Sequence, residues 1–305
     1  MDLNSPIFSV IIPTYNRESV IERAVQSVFS QTLNDFEIII VDDGSVDETR
    51  SILSAITDKR VRSIFQENGG APKARNKGID EARGRYAAFL DSDDEFLPDH
   101  LANALPVLEQ GTKYCTYTQI ITDRGNGVTF LKPPRALRED EDIADYYLCD
   151  RGFVPTSTLI VPAKLAREVK YDERMTAGND VEFSIRLVRA GAKLVMLDSP
   201  GAVWHDTGVP DRLSSRDNLE ERLAWLEQIR PDISDRAYYG ELGWEVAKKY
   251  SDRGRKWKAM GLFFQALLHR SYSFKLAVSI FFQVVLSPAR YRRFADYLLR
   301  LGFRS

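Results

Sequence analysis

The chain has 305 residues, and its 42 lysines and arginines nearly balance its 44 aspartates and glutamates, for a formal net charge of −2. That length suits about two domains, or one domain with an appendage, and the ordinary apolar content excludes a disordered chain. Two cysteines, Cys115 and Cys149, are too few for a disulfide framework and do not have the spacing of a zinc motif. The segment Met1–Pro6 lacks the features of a signal peptide, so we expect a cytoplasmic protein.

The charge is unevenly distributed along the chain. Residues 253–305 contain 11 lysines and arginines and one acidic residue, Asp296, for a local net charge of +10. Because the whole chain has a net charge of −2, residues 1–252 have a net charge of −12. The acidic residues 1–252 and the basic residues 253–305 are expected to have separate functions. The partner expected for the basic tail is an anionic surface.

Apolar runs alternate with helical patterns through the first hundred residues. The predicted strands are Ile7–Ile12, which is expected to be buried, Phe36–Val41, Val61–Phe65 and Tyr86–Leu90. The predicted helices between them lie at residues 20–29, 49–56 and 72–82. Strand and helix alternating at this spacing indicate right-handed βαβ units and a parallel sheet.

The pattern is more mixed between residues 112 and 206 and mostly helical after Gly208. The predicted elements are strands at Tyr114–Ile121, Thr158–Val161 and Lys193–Leu197, and helices at Val181–Ala190, Leu219–Ile229 and Tyr238–Tyr250. We therefore expect an α/β domain with two halves, residues 1–110 and 111–206. A helical, basic extension is expected over residues 207–305.

Polar side chains follow three of the predicted strands at their carboxyl ends. The segments are Pro13-Thr14-Tyr15-Asn16-Arg17, Asp42-Asp43-Gly44-Ser45 and Asp91-Ser92-Asp93-Asp94. Ligands of open parallel sheets bind at this edge, and five carboxylates gathered there repel one another unless a cation or hydrogen-bond donors offset them. Mg²⁺ and Mn²⁺ prefer oxygen ligands and bridge carboxylates to phosphates, so the pattern predicts metal-assisted handling of a nucleoside diphosphate.

Each of these segments also has a structural interpretation when it is taken alone. Asp42 and Asp43 are suitable caps for the next helix. The segment Pro13–Asn16 is compatible with an ordinary strand-to-helix turn. The three segments together, each at a strand end, favour the ligand site.

Five segments, in this order along the chain, resemble the motifs of family 2 glycosyltransferases with the GT-A fold. They are Phe8–Arg17, Val41–Ser45, Glu67–Gly70, Ala74–Gly78 and Phe89–Asp94. The resemblance is dense over about residues 7–99, thins over 150–206 and is not visible after about residue 210. It implies a Rossmann-like parallel or mixed sheet flanked by helices, here with a mainly helical C-terminal extension.

The resemblance implies a nucleotide-sugar site. The matching residues are Pro13, Thr14, Tyr15, Arg17, Asp43, Lys73, Arg75, Asp91, Ser92 and Asp93. In this resemblance Asp43 reads the base, usually uracil, whereas Asp91 contacts the ribose region and Asp93 binds Mn²⁺ or Mg²⁺. That ion neutralises the leaving diphosphate as a Lewis acid. Lys73 and Arg75 contact phosphate or sugar, or else form a solvated helix face.

The catalytic base is expected in a segment resembling the family's Glu-Asp pair, which opens a helix in the second half. Asp180 matches the base that takes the proton of the acceptor hydroxyl, and Asn179 replaces the usual Glu. This departure removes a charge beside the base, which either lowers the pKa of Asp180 or alters acceptor contacts. The alternatives are that Asp180 only caps the helix and that Glu182 is the base.

Three further residues or segments were assigned to the second half. His205 stands where related enzymes place a histidine near the metal, so it is a candidate third ligand beside Asp91 and Asp93; the alternative is a structural or exposed histidine. Phe153–Ser157 resembles the acceptor-side loop. Trp204 either stacks on a sugar ring or belongs to the core.

The tail combines an apolar helix with a basic, amphipathic end. Phe274–Leu286 is apolar except for Lys275, Ser279 and Gln283, which are spaced four residues apart on one stripe. This helix is shorter than the roughly 20 residues that a membrane span needs. One hypothesis is that residues 253–305 dock on the anionic inner face of the cell membrane, near a lipid-linked acceptor. The other is that the tail packs on the catalytic domain.

These observations favour an inverting, metal-dependent glycosyltransferase. Its donor would be a nucleotide-sugar, with UDP favoured, and its acceptor a glycan or lipid in cell-surface polysaccharide or glycolipid synthesis. A sugar-phosphate nucleotidyltransferase is less favoured, because the loop after strand one lacks the glycine-rich, basic pattern of that class. A nucleotide-sugar-binding protein without catalysis is the non-enzyme alternative, suggested by Asn179. Nucleic acid is disfavoured as a partner, because the expected ligand edge is acidic.

Overall fold

The computed structural model describes residues 5–175, 178–206, 218–287, 289–291 and 293. Two units make up the chain. The first comprises Met1–Leu137 with Val154–Val209, and the second comprises Arg138–Phe153 with Pro210–Ser305.

The strands of the described residues form a mixed sheet in the first unit. They are β1 Phe8–Thr14, β2 Phe36–Asp42, β3 Val61–Phe65, β4 Tyr86–Phe89, β5 Glu95–Phe96, β6 Tyr114–Asp123, β7 Thr129–Lys132, β8 Ile160–Pro162 and β9 Lys193–His205. Their order is β3-β2-β1-β4-β8-β6-β9-β5, with β7 paired to β6. The strands β3, β2, β1 and β4 are parallel, as the alternating sequence pattern predicted, and β8 joins β4 antiparallel.

The α-helices lie in both units. In chain order they are α1 Ile21–Phe29, α2 Thr49–Ser54, α3 Ala71–Glu81, α4 His100–Leu108, α5 Ile143–Cys149, α6 Ala163–Val169, α7 Asn179–Arg189, α8 Leu219–Ile229, α9 Asp235–Glu241, α10 Ala247–Asp252, α11 Lys256–Leu268 and α12 Phe274–Val285. No helix among the described residues is long and apolar enough to cross a membrane.

The core of the first unit explains the mainly apolar sequences of β1 and β2. Every residue of both strands is buried, as expected for strands covered on both faces. Helix α3 lies against this sheet through Ala74, which packs with Ile39 and Val41. A side chain at Gly78 would collide with Ile11, so glycine permits the close approach that fixes α3 beside the strand ends.

Two sequence expectations about element length were wrong. The strand predicted at Lys193–Leu197 continues as β9 to His205, because it pairs with β6 through a register shift near Thr118 and then reaches Asp123. His205 is therefore the last residue of a strand rather than part of a loop after it. The single helix predicted at Tyr238–Tyr250 is interrupted by a π-helical turn at Leu242–Val246.

The second unit is helical in its described part. Its last two helices pack against each other through aromatic rings, with the centroids of Phe263 on α11 and Phe281 on α12 5.9 Å apart. The indole N–H of Trp244 donates a hydrogen bond to Gln283 on α12 over 3.0 Å, which ties that helix to the π-helical turn. Leu219–Ile229 and Phe274–Val285 match the predicted helices closely.

Candidate active site

The loops after β1 and β2 brace each other. Asn16 has a left-handed backbone, with φ of 52°, and its N–H donates to the Ser45 hydroxyl over 2.9 Å. Its side-chain oxygen accepts the Val46 N–H at 2.9 Å, and the Arg17 N–H donates to the Thr49 hydroxyl at 2.7 Å. These bonds hold the predicted nucleotide loop in one position relative to the end of β2.

The predicted loop residues differ in their exposure. Pro13 and Thr14 are buried, and the Thr14 hydroxyl has no hydrogen-bond partner among the residues that the structure describes. The Tyr15 ring is exposed. The Arg17 guanidinium donates to the carbonyl of Asn16 at 3.1 Å, so it folds back over its own loop.

Asp43 organises the glycine-rich loop that leads into α3. One carboxylate oxygen accepts from the Gln66 side chain at 2.7 Å and from the Gly69 N–H at 2.9 Å, and the other accepts from the Gly70 N–H at 2.7 Å. Gly70 has a φ of 89°, which glycine adopts without strain. The buried Asp43 carboxylate therefore fixes a loop 23 to 27 residues further along the chain.

The interpretation of Asp42 and Asp43 as caps of the next helix is wrong. Helix α2 begins at Thr49 and its N-cap residue is Glu48, and the Thr49 N–H donates to the Asp47 carboxylate rather than to Asp42 or Asp43. Asp42 instead accepts the N–H of Ser45 at 3.0 Å and closes the turn after β2. Both carboxylates thus shape the sheet edge.

Arg75 connects the Asp-x-Asp turn to the predicted catalytic helix. Its guanidinium donates to an Asp91 oxygen at 2.6 Å and to the side-chain oxygen of Asn179 at 3.0 Å, and it lies 5.3 Å from the centre of the Tyr171 ring. Only 6% of Arg75 is exposed, so the alternative of a solvated helix face is wrong for this residue. Burial is the largest single influence on Arg75 and lowers its pKa, but the charge and hydrogen bond of Asp91, together with Tyr171 and Asp180, outweigh it and the pKa is raised. Lys73 is exposed.

Ser157 binds the same turn from the other side. Its hydroxyl accepts the Asp91 N–H at 3.1 Å and donates to the Asp94 carboxylate at 2.5 Å. Ser92 and Asp94 are buried. The segment Phe153–Ser157, predicted as an acceptor-side loop, thus supplies a hydroxyl that holds the Asp-x-Asp turn. Only spatial proximity reveals this contact, because the partners are 63 and 66 residues apart.

Asp180 lies in the first turn of α7 and is half-buried. The N-cap position belongs to Gly178, two residues earlier. Burial raises the pKa of the Asp180 carboxyl, although the N–H of Val181 and the charge of Arg75 oppose that effect. Glu182, the alternative base, is buried and accepts a hydrogen bond from Arg186 at 2.7 Å, so an ion pair already occupies it.

The predicted metal ligands are not gathered into one cluster. The residues that the structure describes contain no group of three or more histidine, cysteine, aspartate or glutamate side chains that could hold a metal ion. The His205 ring lies 2.6 Å from a carboxylate oxygen of Glu95, which also pairs with Arg23 at 3.1 Å. Within the same described residues, no group donates a hydrogen bond to the Asp93 carboxylate. Asp93 is therefore the open carboxylate of the turn, whereas Asp91 is paired.

Residues 9–168 match the model of a family described as Glycosyl transferase family 2. The chain is 30% identical over 265 residues to the amylovoran biosynthesis glycosyltransferase AmsB of Erwinia amylovora, with 83% of this chain and 87% of that protein covered. It is 32% identical over 215 residues to the succinoglycan biosynthesis protein ExoW of Rhizobium meliloti, with 64% and 67% covered. The solved structure of S. aureus TarS 1–349 in complex with UDP-GlcNAc is similar with a TM-score of 0.63 at 19% identity, covering 97% of this chain and 92% of that chain. At that identity the likeness concerns the fold.

Proposed function

Since the chain belongs to glycosyltransferase family 2, we propose that it transfers a sugar, with inversion, from a UDP-sugar to a glycan or lipid-linked acceptor. Two relatives are named for the biosynthesis of amylovoran and succinoglycan, which supports a role in cell-surface polysaccharide or glycolipid synthesis. The UDP-GlcNAc complex of the similar fold supports a UDP donor. The proposed location is the cytoplasm, at the inner face of the cell membrane.

One observation carries the proposal: Arg75 bridges Asp91 of the donor motif and Asn179 beside Asp180. A single displacement requires the donor sugar and the base within one site, on opposite sides of the reacting carbon. The two motifs are 88 residues apart between Asp91 and Asn179, yet one buried guanidinium touches both. The geometry thus supports a transferase site rather than two unrelated structural motifs.

In the proposed reaction, Asp180 removes the proton of the acceptor hydroxyl while its oxygen attacks the anomeric carbon. The bond from that carbon to the diphosphate oxygen breaks, and its electron pair leaves with UDP. Burial raises the pKa of Asp180, which makes the carboxylate a stronger base than an exposed aspartate. Asn179 is neutral, so it accepts a hydrogen bond from Arg75 without adding a second charge beside the base.

Asp43 and Thr14 are the proposed readers of the nucleoside. A carboxylate oxygen accepts two hydrogen bonds, and the Asp43 oxygen bound to Gly70 receives one from the described residues. The remaining position suits an N–H of the base. Thr14 contributes a buried hydroxyl whose missing partner a bound ligand would supply.

Asp93 is the proposed protein ligand of Mn²⁺ or Mg²⁺. Such ions are commonly held by one or two carboxylates together with substrate phosphates, so the donor set of this turn fits without a preformed cluster. When bound, the ion would neutralise charge on the leaving diphosphate. Asp91 and His205 are less suited than the sequence suggested, because Arg75 and Glu95 already pair with them.

The direct test combines thermal shift with donor turnover. UDP, GDP and dTDP are titrated with Mn²⁺ or with EDTA; a ligand at about 100 times its Kd stabilises the fold by about 2.7 kcal/mol. We expect a metal-dependent shift that is selective for UDP and absent in Asp93→Ala. Asp180→Asn should keep the shift but lower turnover of a UDP-sugar by about 10²- to 10⁴-fold.

The same experiment tests the alternative of a binding protein without catalysis. That alternative predicts the UDP shift together with no turnover in the wild type and no further effect of Asp180→Asn. A shift with GDP or dTDP alone would contradict the UDP assignment. Turnover that Asp180→Asn leaves unchanged would contradict the base assignment.

A further inference from the structure

Exposed apolar side chains are concentrated on α11 and α12. Of the eleven large hydrophobic side chains exposed among the described residues, seven lie on these two helices. Those on α11 are Trp257, Phe264 and Leu268, and those on α12 are Phe274, Val278, Phe281 and Val285. Trp257 is 92% exposed and Phe274 is 87% exposed, values that the folded unit itself does not explain.

The spacing places these side chains on one side of each helix. The exposed residues of α12 are separated by four, three and four positions, and those of α11 by seven and four. Such spacings follow one face of an α-helix. Because Phe263 and Phe281 bring the two helices together, the two stripes form one surface, which we call the α11–α12 face.

The polar stripe of α12 points inward, which reverses the usual arrangement. The Ser279 hydroxyl lies 3.2 Å from the Tyr291 hydroxyl, and the Gln283 side chain donates to that same hydroxyl at 3.2 Å. Gln283 also accepts the Trp244 indole N–H. The side chains of Ser279 and Gln283 are thus bonded within the unit, and the apolar stripe is left outside.

Positive charge surrounds the α11–α12 face. The exposed cations on or next to the two helices are Arg255, Lys256, Lys258, Arg270 and Lys275. The sequence contains no acidic residue from Arg253 to Ala295. An apolar surface flanked by exposed cations matches an anionic bilayer, into whose interface aromatic side chains insert while lysine and arginine reach the headgroups.

We propose that the α11–α12 face docks this protein on the surface of an anionic lipid bilayer. Neither helix is long enough to span it, so the helices lie in the interfacial plane with Trp257 and Phe274 inserted. A second copy of the chain is a poorer occupant, because two such faces would bring like charges together. The inference does not depend on the sugar or the acceptor of the enzyme.

Vesicle binding by the full-length protein tests the proposal. Flotation is measured with vesicles of phosphatidylcholine alone and with phosphatidylcholine containing phosphatidylglycerol, at low and high salt. Two double variants probe the face: Trp257→Ser with Phe274→Ser removes apolar anchors, and Lys256→Glu with Arg270→Glu reverses charge. The matched controls are Leu131→Ser for an exposed apolar residue and Lys59→Glu with Lys164→Glu for the same change in net charge.

We expect wild-type protein and controls to float with the anionic vesicles only, less so at high salt. Each double variant should lower the bound fraction by about tenfold, because each basic residue and each aromatic anchor contributes to interfacial affinity. All variants should keep the wild-type circular dichroism spectrum and melting midpoint, since the changed side chains are exposed.

Three results would overturn the proposal. One is the absence of wild-type binding to anionic vesicles, and another is wild-type binding by both double variants. The third is a wild-type dimer, measured by light scattering, that Trp257→Ser with Phe274→Ser dissociates while neither protein floats. That result would assign the face to a second copy of the chain.

Discussion

The edge of the sheet where β1, β2 and β4 end and the α11–α12 face treat polar groups in opposite ways. At the sheet edge, charged side chains have specific partners: the buried Asp43 carboxylate accepts three hydrogen bonds, and the buried Arg75 guanidinium is paired with the partly buried Asp91. On the α11–α12 face, large apolar side chains and several nearby cations are exposed. The polar groups of the sheet edge are therefore already held in place by hydrogen bonds and ion pairs. The apolar side chains of the α11–α12 face instead lack the apolar environment that they favour.

This difference determines how each region responds to substitution. A buried charge that loses its partner destabilises the fold strongly, because its desolvation is no longer offset. An exposed apolar side chain that becomes serine loses nothing within the folded unit. Substitutions at the sheet edge should therefore change stability and chemistry together, and those on the α11–α12 face should change binding alone.

The largest predicted effect on stability is expected for the substitution Arg75→Met. It leaves the Asp91 carboxylate and the Asn179 amide without their shared donor, at a cost of about 3 kcal/mol in the free energy of unfolding. It also removes the positive charge that lowers the pKa of Asp180, so that pKa should rise further. Because the proposed base Asp180 would act in its deprotonated form, the acidic limb of the pH–rate profile should move to higher pH.

Arg62→Met is the matched control for that prediction. Arg62, like Arg75, bridges two side chains of the first unit, with distances of 3.3 Å to Glu37 and 2.7 Å to Glu81. The Arg62→Met substitution should destabilise the fold without moving the acidic limb of the pH–rate profile. If both variants move the limb equally, or if neither does, Arg75 has only a structural role.

A smaller effect is expected for Asp43→Asn. The amide group of asparagine would face an N–H of the 66–70 loop, so one buried donor loses its acceptor at a cost of about 2 kcal/mol. UDP should also lose its stabilising effect in thermal shift. Asp47→Asn is the control, since Asp47 accepts the N–H groups of Glu18 and Thr49 at a partly buried position. Retained UDP binding in Asp43→Asn would show that this carboxylate does not read the base.

The parallel half of the sheet was predictable because its information is local. Strands β1, β2 and β4 are mainly apolar runs, and the polar residues after them are consecutive, so both features appear in short windows of sequence. The motif-bearing loops were therefore assigned to the correct sheet edge from sequence. The contacts of Arg75 with Asn179 and of Ser157 with Asp94 join residues 104 and 63 positions apart, and no periodicity reports such pairs.

The exposed face of α12 was missed for the opposite reason. Its composition correctly predicted a helix, and the spacing of Ser279 and Gln283 correctly predicted a polar stripe. Periodicity fixes which residues share a face but not which face meets the rest of the unit. The hydrogen bonds of Gln283 with Trp244 and Tyr291 decide that orientation, and they involve residues outside the helix.

The smallest predicted effect concerns His100, a buried polar side chain without the partners found at the sheet edge. Its ring packs on Phe96, and neither ring nitrogen has a hydrogen-bond partner among the described residues. Burial lowers the pKa of His100 to about 3, whereas the unfolded chain should titrate near 6.5. Between these values the unfolded state binds the extra proton, so stability falls as the pH decreases through 6.5.

Urea unfolding at pH 7.5 and 5.5 measures this effect against His100→Gln, which cannot titrate. Other groups contribute equally to both proteins, so the wild type should lose about 1 kcal/mol more than the variant over this interval. An equal loss in both would mean that His100 becomes protonated in the folded state. In that event the folded protein provides an acceptor for the protonated ring, and His100 resembles the paired charges of the sheet edge instead of differing from them.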